Sequence, residues 1–237
     1  MSELAIIMAA GLGTRLRPLT NIIPKPLVKI HSKPMIETVI NGLKKRGVKK
    51  FIVVTGYLGE KFEYLEGKYD GLRIVRNGDY EIINNISSIK AVSDVLLGTV
   101  SDIFICEADL YVSDDSIFRV SLEHSCYYGK MVKGHSYDWV FEQDENERII
   151  RVGKGGNNCY NMVGVAYFKN DDAHRLGRMI DDAYGKEGYQ DLFWDDVVNM
   201  NLDELNLIVH EVQEGQIVEI DTIDELIQLD SSYEKLK

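Results

Sequence analysis

The chain opens on an unbroken apolar run over residues 4–10 that ends in small side chains and glycine. Such a run fits a strand buried on both faces, and a glycine at its end permits backbone conformations closed to other residues, so a loop follows. Met35, Ile36, Val39, Ile40 and Leu43 then recur at helical spacing, between Ser32 and Pro34 in front and Lys44-Lys45-Arg46-Gly47 behind, which predicts a helix with a clean stop. Residues 51–55 predict the next buried strand, 61–69 a polar helix and 73–76 a short strand. Ser87 or Ser88 is expected to cap a helix through Ala91, Val92, Val95 and Leu96, with residues 102–106 a further buried strand. Strand and helix in alternation predict an α/β fold with a parallel sheet.

Beyond residue 125 the pattern loosens. Short strands are expected at 128–133, 139–142 and 149–152, then a glycine-rich loop at 153–157 and a strand at 160–168. A helix over 171–184, another opening at 191 toward Met200, and a strand over 205–212 follow. Thr222 with Glu225 forms a capping box for the last helix, which leaves Asp221 free to face a site. No linker rich in proline or serine cuts the chain. One domain over 1–237 is expected, with a nucleotide-binding half at about 1–125 and a β-rich, acceptor-covering half at about 126–237.

Composition narrows the partners. A net charge of −11 argues against a nucleic-acid or anionic-membrane surface, either of which needs a basic patch. The first apolar run lacks a basic region before it and is far too short to span a bilayer. Cys106, Cys126 and Cys159 are widely spaced and odd in number, so reduced cysteines and a cytoplasmic location are expected. At 45% hydrophobic, 237 residues can bury a full core.

The loop after the first strand carries the chemistry. Its bare amides and two arginines could wrap a phosphate chain, but Leu16 stands where a dinucleotide fingerprint needs its third glycine, and no Gly-Lys-Ser/Thr is present. Gly11-x-Gly13-Thr14-Arg15-Leu16-x-Pro18-x-Thr20 with Pro24-Lys25-Pro26-Leu27 instead resembles the signature of nucleotidyltransferases that join a nucleoside triphosphate to a phosphorylated sugar or alcohol. The resemblance implies a Rossmann-like nucleotidyltransferase fold, a mixed and mostly parallel sheet flanked by helices. It also implies a metal-binding aspartate at Asp109 and a second at Asp221, with Mg²⁺ as the cofactor. Tyr80-x-x-x-Asn84-Asn85-x-x-Ser88, Ala108-Asp109-x-Tyr111 and Asp191-Leu-Phe-Trp-Asp195 are similar to segments of bacterial CTP:phosphocholine cytidylyltransferases, over nearly the whole chain.

On that resemblance Ala9, Ala10, Gly11, Gly13, Thr14, Arg15, Asn85 and Ser88 are expected to bind the nucleotide. Arg15, Lys25, Asp109 and Asp221 are expected to carry catalysis, Lys25 at the acceptor and α-phosphates and Arg15 at the β/γ end. No general base is needed, because a phosphate monoester is already an anion at neutral pH; the work is positioning and electrostatics. For the acceptor, Tyr111, Trp139, Tyr160, Trp194 and Asp195 are the candidates, since a quaternary ammonium prefers aromatic faces with a carboxylate nearby. The expected partners are CTP and a phosphorylated amino-alcohol, phosphocholine first. Phosphoethanolamine and aminoethylphosphonate stay open, as does a sugar-1-phosphate if the tryptophans are core. A silent nucleotide-binding regulator is disfavoured by the presence of all four catalytic residues.

Overall fold

The computed structural model describes residues 2–236. Strand β1 (Glu3–Ala9) leads through two minimal strands, β2 (Lys29–Ile30) and β3 (Lys33–Pro34), to helix α1 (Met35–Arg46). Then come β4 (Lys50–Thr55), α2 (Tyr64–Lys68), β5 (Leu72–Arg76), α3 (Ile86–Lys90), α4 (Ser93–Gly98), β6 (Asp102–Glu107) and β7 (Leu110–Val112). The second half holds β8 (Ser125–Gln143), β9 (Ile149–Phe168), α5 (Asn170–Ala183), α6 (Trp194–Met200), β10 (Leu207–Glu211), β11 (Ile217–Glu219) and α7 (Ile223–Leu229).

A seven-stranded sheet in the order β10-β8-β9-β6-β1-β4-β5 organises the molecule. Strands β5, β4, β1 and β6 run parallel, so Ala9, Thr55, Arg76 and Glu107 end on one edge. The apolar run of β1 serves both faces. Ala5, Ile7 and Ala9 join Ile36, Val39, Ile40 and Leu43 of α1 in one buried layer, while Leu4 and Ile6 join residues of α3 to α6 in the other. Alternating side chains along a strand and helices on both sides make this arrangement self-consistent. No helix among the described residues is long and apolar enough to cross a membrane. Cys106, Cys126 and Cys159 are buried free thiols.

Several boundaries differ from expectation. Ser32 lies in the β2–β3 turn with φ of 70°, so α1 starts at Met35 after Pro34, and Gly47 with φ of 110° closes it by donating to the carbonyls of Leu43 and Lys44. The polar helix over 61–69 is a 3₁₀ turn at Gly59–Phe62 followed by the short α2. Neither Ser87 nor Ser88 caps a helix. Asn85 precedes α3, both hydroxyls accept from the Asn77 side-chain amide instead, and the helix is interrupted before α4. The Gly153–Asn157 stretch is strand rather than loop, because β8 and β9 form one long ribbon with several register shifts. The ribbon folds over, so that Asn161 pairs with both Lys130 and Val140.

Candidate active site

The loop leaving β1 is shaped by Gly13, at φ of 60° and ψ of 35°. A Cβ there would come 2.8 Å from Lys25 Cβ, so glycine is needed for both the left-handed turn and the close passage of the Lys25 segment. Thr20 Oγ1 donates to the Gly13 carbonyl at 2.8 Å, and Leu16 packs fully buried beneath. The Pro24–Leu27 turn, closed by Leu27 N to Pro24 O at 2.9 Å, turns Lys25 inward until it is only 7% exposed.

Two carboxylates far apart in sequence meet the Lys25 ammonium. Asp109 follows β6 and precedes β7; Asp221 follows β11 and precedes α7. The antiparallel pairing of β7 with β11, Leu110 opposite Glu219, brings the two aspartates together. Lys25 Nζ donates to Asp109 Oδ2 at 2.5 Å and to Asp221 Oδ1 at 2.6 Å, and Arg15 Nη2 lies 2.7 Å from Asp221 Oδ1. Burial alone would lower the ammonium's pKa, but Asp109 and then Asp221 push it up to about 12. The capping box at α7 forms as expected: Glu225 Oε2 accepts from the backbone N–H of Asp221 and Thr222, and the Thr222 hydroxyl accepts from Glu225 N. The Asp221 side chain is thereby left to the site.

Glu219 completes the set. One carboxylate oxygen from each of Asp109, Glu219 and Asp221 falls within 4.8 Å of the others. Glu219 faces the cleft but its walls desolvate the carboxyl, and Asp109 and Asp221 add repulsion, pushing it up to about 7. An all-oxygen cluster of this kind fits a hard divalent cation. Glu107, at the end of β6, lies beside it with its pKa raised well above the carboxylate range, by burial first and then by Asp109, Glu219 and Asp195. Gly164 on β9, at φ of 71°, makes room: a Cβ there would sit 2.7 Å from Glu107 Oε2.

The eight residues expected at the nucleotide, Ala9, Ala10, Gly11, Gly13, Thr14, Arg15, Asn85 and Ser88, line one cleft together with Lys25, Asp109 and Asp221. A second cavity opens from it under the β8–β9 ribbon, lined among others by Asp138, Trp139, Lys154, Asn161, Phe193 and Asp195. Trp139 and Phe193 meet edge to face at 5.3 Å, and Lys154 Nζ lies 5.9 and 5.8 Å from their centroids. Asp195 is held by the Tyr127 hydroxyl at 3.0 Å, and burial pushes its carboxyl up to about 7.

Three expected acceptor residues lie elsewhere. Trp194 is 4% exposed, stacked on Tyr127 at 5.7 Å inside the core, and its place at the cavity is taken by the preceding Phe193. Tyr160 donates to Glu211 Oε2 at 2.9 Å, and Tyr111 packs edge-on to His31 and over the small core that holds Ile220. Sequence reasoning gave no site role to Glu107, Glu219, Asp138, Lys154, Asn161 or Phe193. Of these Glu219 carried a signal, since residues two apart on an extended chain share a face and Asp221 was already assigned.

The family model described as Nucleotidyl transferase matches residues 4–133. The chain is 51% identical to the 2-aminoethylphosphonate cytidylyltransferase of Lancefieldella rimae, over 97% of this chain and 92% of that one. It is 34% identical to the choline-phosphate cytidylyltransferase of Streptococcus pneumoniae, over 95% and 96% of the two chains. The solved structure of CTP:phosphocholine cytidylyltransferase from Streptococcus pneumoniae superposes with a TM-score of 0.88 over the full length of both chains.

Proposed function

This chain belongs to the nucleotidyl transferase family, and from that premise we propose that it transfers the cytidylyl group of CTP to 2-aminoethylphosphonate, releasing pyrophosphate. The observation that carries this choice is the acceptor cavity. A trimethylammonium cage of Trp139, Tyr160 and Trp194 is not assembled; of the rings that line the cavity, Trp139 and Phe193 meet edge to face with Asp138 and Asn161 beside them, while Tyr137 stands largely in solvent. A two-ring corner with polar neighbours suits a small primary ammonium. The higher identity to the aminoethylphosphonate relative points the same way. Phosphocholine is the second reading, favoured by the full-length likeness to the Streptococcus enzyme.

In this reading an oxygen of the acceptor phosphonate, already ionised, attacks the α-phosphorus in line. A new P–O bond forms, the bond to the β-phosphate bridge breaks, and pyrophosphate leaves with the electron pair. Lys25, protonated throughout the physiological range, donates to the acceptor oxygens and the α-phosphate, and Arg15 to the β and γ phosphates. The amides of residues 11–14 bind the triphosphate. Mg²⁺, held by Asp109, Glu219 and Asp221, would supply charge neutralisation between the two anionic substrates. Glu107 and Asp195 also line the cavity, but burial pushes both carboxyls toward the neutral form, so they add polar contacts to the acceptor rather than a fixed negative charge.

Phosphorus NMR of the protein with CTP, 2-aminoethylphosphonate and Mg²⁺ tests this. Resonances of a mixed phosphonate–phosphate anhydride and pyrophosphate are expected, and their loss on chelating the metal. Unchanged substrates in the presence of Mg²⁺ would sink the reading; full turnover under chelation would remove the metal from it.

A further inference from the structure

The acceptor cavity contains an unusual group. Among the described residues, Asn161 Oδ1 is the one buried side-chain nitrogen or oxygen without a hydrogen-bond partner. Its orientation is fixed, because Asn161 Nδ2 donates to Asp138 Oδ2 at 3.1 Å and rotating the amide would set oxygen against carboxylate oxygen. The fold explains how it gets there: the folded-over ribbon pairs Asn161 with Val140, beside Asp138 and Trp139. Asn161, Asp138 and Trp139 line the cavity with Phe193.

Next to it, the corner of Trp139 and Phe193 already receives a primary ammonium. The last two methylenes and amine of Lys154 are chemically an aminoethyl group, and they end within 6 Å of both ring centroids. An –NH₃⁺ on a two-carbon arm therefore fits this corner, and its attraction to the ring faces is of the cation–π kind.

We propose that Asn161, held by Asp138, is the specificity-determining residue that selects a primary ammonium over an N-methylated one in the acceptor. This rests on the aminated-acceptor reading above. A primary ammonium has three N–H donors, one of which can satisfy the Asn161 carbonyl, while two methylenes reach back toward the acceptor's phosphorus group. A trimethylammonium has none; it would leave the carbonyl unpaired and press methyl groups against it, and a buried acceptor without a donor is costly. Lys154 must leave the corner when an acceptor enters, so the aminoethyl arm of the substrate replaces that of the protein.

The test is a graded series: phosphoethanolamine, its N-methyl and N,N-dimethyl derivatives, and phosphocholine, in which each step exchanges one N–H for one methyl group. With the wild-type protein kcat/KM is expected to fall across the series by about tenfold or more. In Asn161→Leu, which removes the carbonyl at similar volume, the series is expected to flatten while KM for CTP stays unchanged. Should that variant fold poorly, Asn161→Ala carries the same expectation. A wild-type series that is flat, or a slope that survives in the folded variants, overturns the role of Asn161 while leaving the cytidylyltransferase reading intact. No turnover of any member, or of 2-aminoethylphosphonate, overturns that reading itself and the specificity role with it.

Discussion

Lys25 is the residue through which the site is held together. Its ammonium neutralises Asp109 and Asp221 from a position almost closed to water, and without it two carboxylates would face each other across the cleft. Lys25→Ala is expected to lower kcat at least about a hundredfold, as removal of a donor aimed at developing charge does elsewhere, measured by pyrophosphate release. A variant with unaltered turnover would deny Lys25 its role. Asp195 makes a separate prediction. Its folded pKa of about 7 lies above the ordinary aspartate value of 3.8, so the native protein keeps a proton that the unfolded chain gives up. The contribution to stability is complete below about pH 4 and is lost as pH rises through 7. Asp195→Asn, neutral throughout, should therefore melt higher than wild type by a larger margin at pH 8 than at pH 5; parallel melting curves at the two pH values would contradict this. At this scale the residues that line the first cleft were legible because a spaced motif names them one by one. Those of the second cavity were not. Aromatic identity alone does not say which of two adjacent rings, Phe193 or Trp194, faces a cavity and which faces the core, since that depends on how α6 packs against β9.

At the scale of elements, glycines mark where the chain must make room, and two of them separate structure from function. Gly164→Ala forces a side chain into φ of 71° and within 2.7 Å of Glu107 Oε2, and should cost about 1–3 kcal/mol in urea unfolding. At Gly11 a Cβ would meet nothing within 4 Å, so Gly11→Ala should change stability by no more than about 0.5 kcal/mol and instead raise KM for CTP, because the added methyl stands over the amides. Equal stability losses at both positions would contradict the assignment of the β1 loop to phosphate binding. The same contrast shows what sequence patterning can reach. Strands buried on both faces, α1 with its apolar stripe and the Thr222 capping box all follow from local periodicity or hydrogen-bonding rules, and they were found. The register shifts of β8 and β9 were hidden, because a folded-over ribbon is decided by cross-strand pairing between residues far apart in sequence, such as Cys126 and Tyr167. The interruption between α3 and α4 was likewise invisible to a pattern that continues through it.

For the whole molecule, the parallel strands gather the ends of β1 and β6 on one edge, and the crevice there is where ligands of such sheets collect. What the parallel half cannot supply, the second half adds: β11, by pairing with β7, brings Glu219 and the Asp221 that follows it to the edge, and the β8–β9 ribbon roofs the second cavity. The two cavities share Arg15, Asn85, Glu107, Asp109 and Asp221, so two anionic substrates bound side by side would meet where the cations and carboxylates converge. A surface of net charge −11 does not attract anions over long range, which leaves their capture to these few groups.

The measurement that tests this account most directly is pyrophosphate release with Mg²⁺ for each of the four nucleoside triphosphates paired with 2-aminoethylphosphonate, phosphoethanolamine, phosphocholine and glucose-1-phosphate. CTP is expected as the donor and 2-aminoethylphosphonate as the acceptor with the highest kcat/KM, with no release from the sugar phosphate. Highest activity with glucose-1-phosphate, or with a donor other than CTP, would contradict it.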